Sequence, residues 1–309
     1  MTETLLCNAL PVPAEAADGA APPSQGPGLP APGGLALPQP PLLLTQLRGE
    51  PAAALSRLAA CLDAPSCATL MQCSVALGLG PPGGRRSTFE AAIDGFGAHR
   101  AVDLFGVLAL VGQMRALAQQ RDGAGGPCAS WAGFWEHGLH RARVLAWLAR
   151  RHGGVPADLA LAFGLLCDSA VALMMLELQA PSYRVTLAEA NLGHRPVTEV
   201  ERGRHGTDHA EVACAIARGW GLDAELAAAV GRHHDDRVLS APGQPQVRTL
   251  VALGLVADRM TVRPAARHRQ HVEWQRGGAL ALHALGLSLQ DYDDWLDEIG
   301  VQATPGGRG

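Results

Sequence analysis

After Pro51 the apolar residues recur at three- and four-residue spacing, and no segment alternates apolar and polar positions as a half-buried strand would. The pattern predicts an all-α chain. Pro51 opens a first helix with Leu55, Leu58, Ala59 and Leu62 on one face. Ser87 and Glu90 form a capping-box pattern ahead of another. Residues 98–120 read as a long apolar helix, Ser130 as the cap of one carrying Trp131, Trp135, His137, His140 and Trp147, and Pro156 as the start of one leading to Cys167-Asp168. Later helices are expected over 247–260, 270–285 and, capped by Ser288, 289–299. The polar stretch 191–208 (NLGHRPVTEVERGRHGTD) reads as a linker.

The most informative pattern is 206–236, GTDHAEVACAIARGWGLDAELAAAVGRHHDD. It predicts two short helices joined by a turn. Thr207 is placed to cap the first, with Asp208 and Glu211 where the helix dipole favours negative charge. Ala210, Ala213, Cys214, Ala217 and Trp220 make its apolar stripe. Gly221 ends it, and Asp223 caps a second helix that buries Leu226, Ala227 and Val230. His209, His233 and His234 then fall near the outer ends of one helical hairpin.

Read in order, several stretches resemble a known family. The DHAEV run ending in the His233-His234 pair resembles the closing half of HDOD domains, the regulatory branch of the HD superfamily of helical metal-dependent phosphohydrolases. FWEHGLHRARVLAWLARR (134–151) is similar to the helix supplying the first superfamily histidine, here His137. LALAFGLLCDSAVALMML (159–176) is similar to the helix bearing the His-Asp pair, and VRTLVALGLVADRM (247–260) to the helix with the last aspartate, here Asp258. Upstream, RRSTFEAAIDGFGAHRAVDLFGVLAL resembles the segment joining an N-terminal helical lobe to the HD-like lobe. The resemblance implies a multi-helix HDOD-type domain over 41–300, with the N-terminal helical lobe at 41–128 and the HD-like lobe at 129–300. Residues 1–40, rich in Pro, Gly and Ala without an apolar period, are expected to form a flexible tail, and 301–309 a disordered C-terminus.

Composition narrows the chemistry. The net charge of -4 and the absence of a basic stripe argue against nucleic acid as a partner. No lysine occurs, which excludes a Schiff-base, P-loop or general-base lysine. Seven cysteines form no CxxC pair or zinc-finger spacing and read as free thiols of a reducing compartment. The N-terminus has no signal-peptide pattern, and each long apolar run is interrupted by Arg, Gly or Asp; a cytoplasmic protein without a membrane span is expected.

By resemblance, the core metal positions would be His137, Cys167, Asp168 and Asp258, with His209, His233 and His234 nearby. The departure lies at the centre, where the expected His-Asp pair reads Cys-Asp. Thiolate binds zinc, so this set is chemically able to hold Zn²⁺; a neutral thiol is equally at home among Phe163, Leu165, Leu166 and Val171. The HDxGK pattern of active branches appears as CDSAV, and DDRVLSAPGQP follows His233-His234 in place of a GYP signature. Each residue also has an ordinary reading: Asp168 as a bridge between helices, His209 as a hydrogen-bonded first-turn residue, the His233-His234 pair as favourable charge at a helix C-terminus. The expectation is a vestigial site with no metal and no cofactor, in a non-catalytic bacterial signal-transduction output or scaffold protein. Its partners would be signalling proteins and, among small molecules, a nucleotide second messenger. The alternatives are a divergent phosphohydrolase using Zn, Mn or Fe, and an effector that binds a nucleotide without cleaving it.

Overall fold

The computed structural model describes residues 32–38, 97–122, 128–178, 182–262 and 267–302. These residues form helices α1 (Ala98–Asp122), α2 (Cys128–His152), α3 (Ala157–Leu166), α4 (Ser169–Glu177), α5 (Tyr183–Ala190) and α6 (Val197–His205). They continue with α7 (His209–Gly219), α8 (Ala224–Val230), a 3₁₀ turn (Asp236–Leu239), α9 (Pro245–Met260), α10 (Arg267–Leu285) and α11 (Leu289–Gln302). No β-strand occurs among the described residues, as the apolar period requires. The expected helices before 97, and both expected disordered ends apart from 32–38 and 301–302, lie outside the described residues; residues 301–302 of the expected disordered C-terminus are the last turn of α11.

The centre of the packing is the α2–α3 pair, against which α1, α4, α8 and α9 close. Gly164 makes that pair possible: a Cβ there would lie 2.6 Å from the Cα of Ala142. Leu145, Leu148, Leu161, Phe163, Leu250 and Leu253 fill the core between these helices and α9, each at most 1 % exposed. Arg100 of α1 donates through Nε to the buried carboxylate of Asp158 at 2.9 Å, tying α1 to the start of α3. Trp147 and Trp295 meet edge to face at 6.0 Å and bring α11 onto α2.

Four local expectations change, the first being that α2 begins at Cys128, so Ser130 lies inside the helix it was expected to cap. The single helix expected over 159–176 is two, broken at Cys167-Asp168, where the Ser169 hydroxyl donates to the Leu166 carbonyl at 2.7 Å. Asp168 takes the N-cap position of α4 without its side chain capping it, which directs the carboxylate elsewhere. The stretch expected to be a linker contains α6, whose inward side carries only Val197, Thr198, Val200 and Glu201. In α7 the cap is Asp208, whose carboxylate accepts from the Glu211 amide at 2.8 Å, while Thr207 donates to the Glu211 carboxylate at 2.9 Å. The Asp223 cap of α8 is as expected.

One stretch, Ala157–Glu177, is long and apolar enough to cross a membrane, yet 83 % of that window is buried inside the fold. Its apolarity is that of a core element.

Residues 32–38 belong to the segment expected to be a free tail, and they are packed. Leu35 is 5 % exposed within the main core, and the Trp220 indole donates to the Pro38 carbonyl at 2.8 Å. A truncation of 1–30 keeps this packing and serves as the reference for a truncation of 1–38. Deleting 1–38 should cost about 2–4 kcal/mol, from one buried leucine and one hydrogen bond. Equal stability of the two truncations in urea denaturation would contradict this packing.

Candidate metal centre

The α7–α8 hairpin brings three imidazoles to one point. Nε2 of His209 lies 3.2 Å from Nε2 of His233 and 3.2 Å from Nε2 of His234. Asp168, at the α3–α4 break, presents Oδ1 3.8 Å from the same His209 nitrogen. One ligand atom from each of the four residues falls within 4.8 Å of all the others. Two imidazole nitrogens bound at about 2.0–2.1 Å to one tetrahedral ion would sit about 3.3 Å apart, close to what is found.

What holds the rings identifies their tautomers. The Nδ1–H of His209 donates to Glu201 (2.7 and 2.9 Å), that of His233 to the Val230 carbonyl (2.7 Å), and that of His234 faces the Glu273 carboxylate at 3.3 Å. Each partner is an oxygen placed to accept from Nδ1–H, so each ring, when neutral, turns its Nε2 lone pair inward. Three lone pairs at such separations repel unless a cation lies among them. One extra proton on His209 satisfies one neighbour; a metal ion satisfies all three. Anchoring each ligand ring through its second nitrogen is the usual support of a histidine metal site.

Charge agrees with this reading. Around the cluster, Asp168, Glu201, Asp258 and Glu273 face Arg141 and Arg269. Four carboxylates against two guanidiniums bias these surroundings towards negative charge, which favours a cation. Burial pushes the carboxyls of Asp258 and Glu273 upward despite the neighbouring arginines. Burial also pushes His233 down to about 3 and His234 well below the usual histidine value, keeping both neutral as ligands must be. For His209 burial acts in the same direction, but the Glu201 carboxylate overrides it and leaves the ring raised.

The other half of the site is built differently. Arg141, 1 % exposed, sets Nε 2.6 Å from Asp258 Oδ1 and donates from Nη2 to Oδ2 at 3.1 Å; its Nη1 is 3.9 Å from Asp168. Asp258 is therefore engaged by a fixed cation. Cys167 is fully buried, and burial pushes its thiol up to about 12, so the thiolate that a metal would need is strongly disfavoured.

The comparisons agree with this architecture. Residues 87–236 match the family model of the HDOD domain. The chain carries an HDOD domain. Its fold is similar to the crystal structure of an HDOD domain protein with unknown function from Geobacter sulfurreducens, at 21 % identity and TM-score 0.56, covering 87 % of this chain and 91 % of that one. Weaker likenesses are to a Shewanella amazonensis protein provisionally named a phosphohydrolase (16 % identity, TM-score 0.49, 85 % and 94 % covered) and to a Marinobacter aquaeolei protein provisionally named a signal transduction protein (19 % identity, TM-score 0.49, 87 % and 60 % covered). At these identities the likeness concerns the fold alone. No curated protein matches.

The structure separates the candidate residues into two groups. Asp168, His209, His233 and His234 come together. Asp258 and Cys167 join Arg141 instead, and half-buried His137, one turn before Arg141 on α2, is outside the four-residue group. Sequence reasoning missed Arg141, Glu201, Arg269 and Glu273. For Arg141 a signal existed: it falls in register with Phe134, Leu145 and Leu148 on the apolar stripe of α2, where a lone arginine implies a buried partner.

Two outcomes follow. Arg141→Met should destabilise the protein by on the order of 3 kcal/mol by stranding Asp258, and adding Asp258→Leu should restore most of that; a double variant as unstable as the single one would contradict the pairing. The second concerns pH. His233 and His234 bind protons more weakly folded than unfolded, so their contribution is present above the unfolded value near 6.5 and is lost as pH falls below it. His209, raised, offsets one of the two. In chelator, the urea midpoint should drop between pH 6.5 and 5, and drop less in His233→Gln; identical slopes would contradict the assignment.

Proposed function

We propose that this HDOD protein is a non-catalytic signal-transduction module, an output or scaffold component acting through contacts with other signalling proteins. We further infer that its HD-like pocket holds one divalent transition-metal ion rather than a hydrolytic pair. Arg141 carries the reading. Its guanidinium neutralises Asp258 and reaches towards Asp168, so a permanent charge stands where the family resemblance would put metal-ligating positions. The absence of any lysine, and hence of the HDxGK lysine, supports the same conclusion.

The residues divide the work. Glu201, the Val230 carbonyl and Glu273 orient the three imidazoles, Asp168 supplies the oxygen ligand, and Arg141 fixes Asp258. A bound ion would supply Lewis acidity towards an oxygen ligand such as a phosphate. Beside the cluster lies a small cleft of about 30 Å³, room for little more than a water molecule, lined by His233, His234, Leu239, Val251, Glu273 and Arg276 among others. The four-residue group favours a second reading, a divergent metal-dependent phosphohydrolase; in either reading a nucleotide second messenger would have to widen this cleft to enter.

Calorimetry should find one equivalent of Zn²⁺ or Mn²⁺ bound by the wild type and none by Asp168→Ala. The loaded protein should release no phosphate from nucleotides or cyclic dinucleotides. Metal-dependent turnover that disappears in Asp168→Ala would establish the phosphohydrolase instead, and failure of the wild type to bind would return the pocket to a vestige. Restoring histidine by Cys167→His should overfill the niche, at a cost of about 1–3 kcal/mol, without recruiting a second ion. A second equivalent in that variant would contradict the role given to Arg141.

A further inference from the structure

Residues 32–38, PGGLALP, lie along the helix that carries His209. At one end, Gly33 sits on the corner between α6 and α7: a Cβ there would fall 2.6 Å from the Thr207 methyl, and 3.5 Å from the His205 carbonyl oxygen. Gly33 and Gly34 both have left-handed backbones, with φ of 64° and 71°, so the approach depends on the two glycines. In the middle, Leu35 enters the main core. At the other end the Pro38 carbonyl accepts the indole N–H of Trp220, the C-cap of α7. The contacts of Gly33 at Thr207 and of Pro38 at Trp220 lie thirteen helical steps apart, about 20 Å, so the segment runs along nearly the full length of α7.

The corner under Gly33 decides where His209 points. Thr207 and Asp208 are fully buried, and Asp208 both caps α7 and pairs with Arg202 of α6. The His209 amide and Nδ1–H both donate to Glu201, also on α6. A small rotation of α7 against α6 would therefore move the ring that two other imidazoles meet.

We propose that residues 32–38 form a detachable strap, docked on the outer face of α7, whose seating holds the Thr207–Asp208 corner and so sets the cation affinity of the histidine cluster. The outer face of α7 is thus a docking surface for a Gly-Gly-Leu segment that enters through a 3₁₀ turn, occupied by the chain itself, and undocking loosens His209 from Glu201. The effect on cation affinity rests on the reading of the cluster given under Proposed function; the docking and its coupling to His209 do not.

Gly33→Val tests this in the full chain, because valine is strained at that φ and its side chain would collide with Thr207. Leu35→Ser is the second variant, removing the apolar anchor without touching the corner. Docking is read from solvent exchange of the Trp220 indole N–H by NMR, coupling from the His209 Nδ1–H signal in chelator, and affinity from Zn²⁺ titration. Both variants should expose the indole, shift or broaden the His209 signal, and weaken Zn²⁺ binding about tenfold, the scale of losing outer support at a metal site. Indole exposure with an unchanged His209 signal and unchanged Zn²⁺ affinity would overturn the proposal and leave the strap a packing element. A wild-type indole that exchanges like a free tryptophan would overturn the docking itself. If the wild type takes up no Zn²⁺ while the His209 signal still follows the strap, the coupling stands and the metal reading fails.

Discussion

A carboxylate that is 1 % exposed must be surrounded by donors, and Glu201 is. Burial alone would raise its proton affinity; the His209 ring and amide and the Tyr183 hydroxyl hold it below the usual glutamate range. The same three contacts join α5, α6 and α7, because Tyr183, Glu201 and His209 come from one helix each. They also leave His209 with its Nδ1 committed and its Nε2 turned towards His233, His234 and Asp168. One buried charge thus fixes the hairpin, the tautomer and the direction of the site.

On the opposite side of Asp168 the demand for positive charge is met by the protein. Arg141 lies among α2, the α3–α4 break and α9, and it binds Asp258 with two nitrogens as a planar guanidinium can. A divalent ion and a guanidinium are alternative answers to the same buried carboxylates. They differ in that arginine activates no water. The chain therefore pairs a histidine-rich half suited to an ion with a half in which arginine already engages the carboxylate. That pairing is the physical basis for the proposal of a signalling module rather than an enzyme.

Much of this was legible in the sequence. The helical period identified nearly every element after 97, and the hairpin of 206–236 placed His209, His233 and His234 at the same end before any coordinates. Asp168 was legible through the family resemblance. What escaped was set by residues whose local pattern points outward. Helix α6 has nine residues, five of them charged or histidine, and only two apolar residues, both valine, facing the core, so its period is too sparse to stand out, and Glu201 went with it. Arg141 was hidden in an RAR run although its neighbour Arg143 is exposed and Arg141 is not. The 32–38 strap carries one buried leucine between prolines and glycines, a composition that predicts a free segment unless a groove is waiting for it.

The most direct test of a one-ion site is anomalous diffraction, with X-ray absorption at the metal edge, from crystals grown with excess Zn²⁺. The account predicts a single peak within bonding distance of Nε2 of His209, His233 and His234 and of the Asp168 carboxylate, with nitrogen and oxygen donors and no sulfur. A second peak beside Asp258 with Arg141 displaced, or a Zn–S contribution from Cys167, would contradict it.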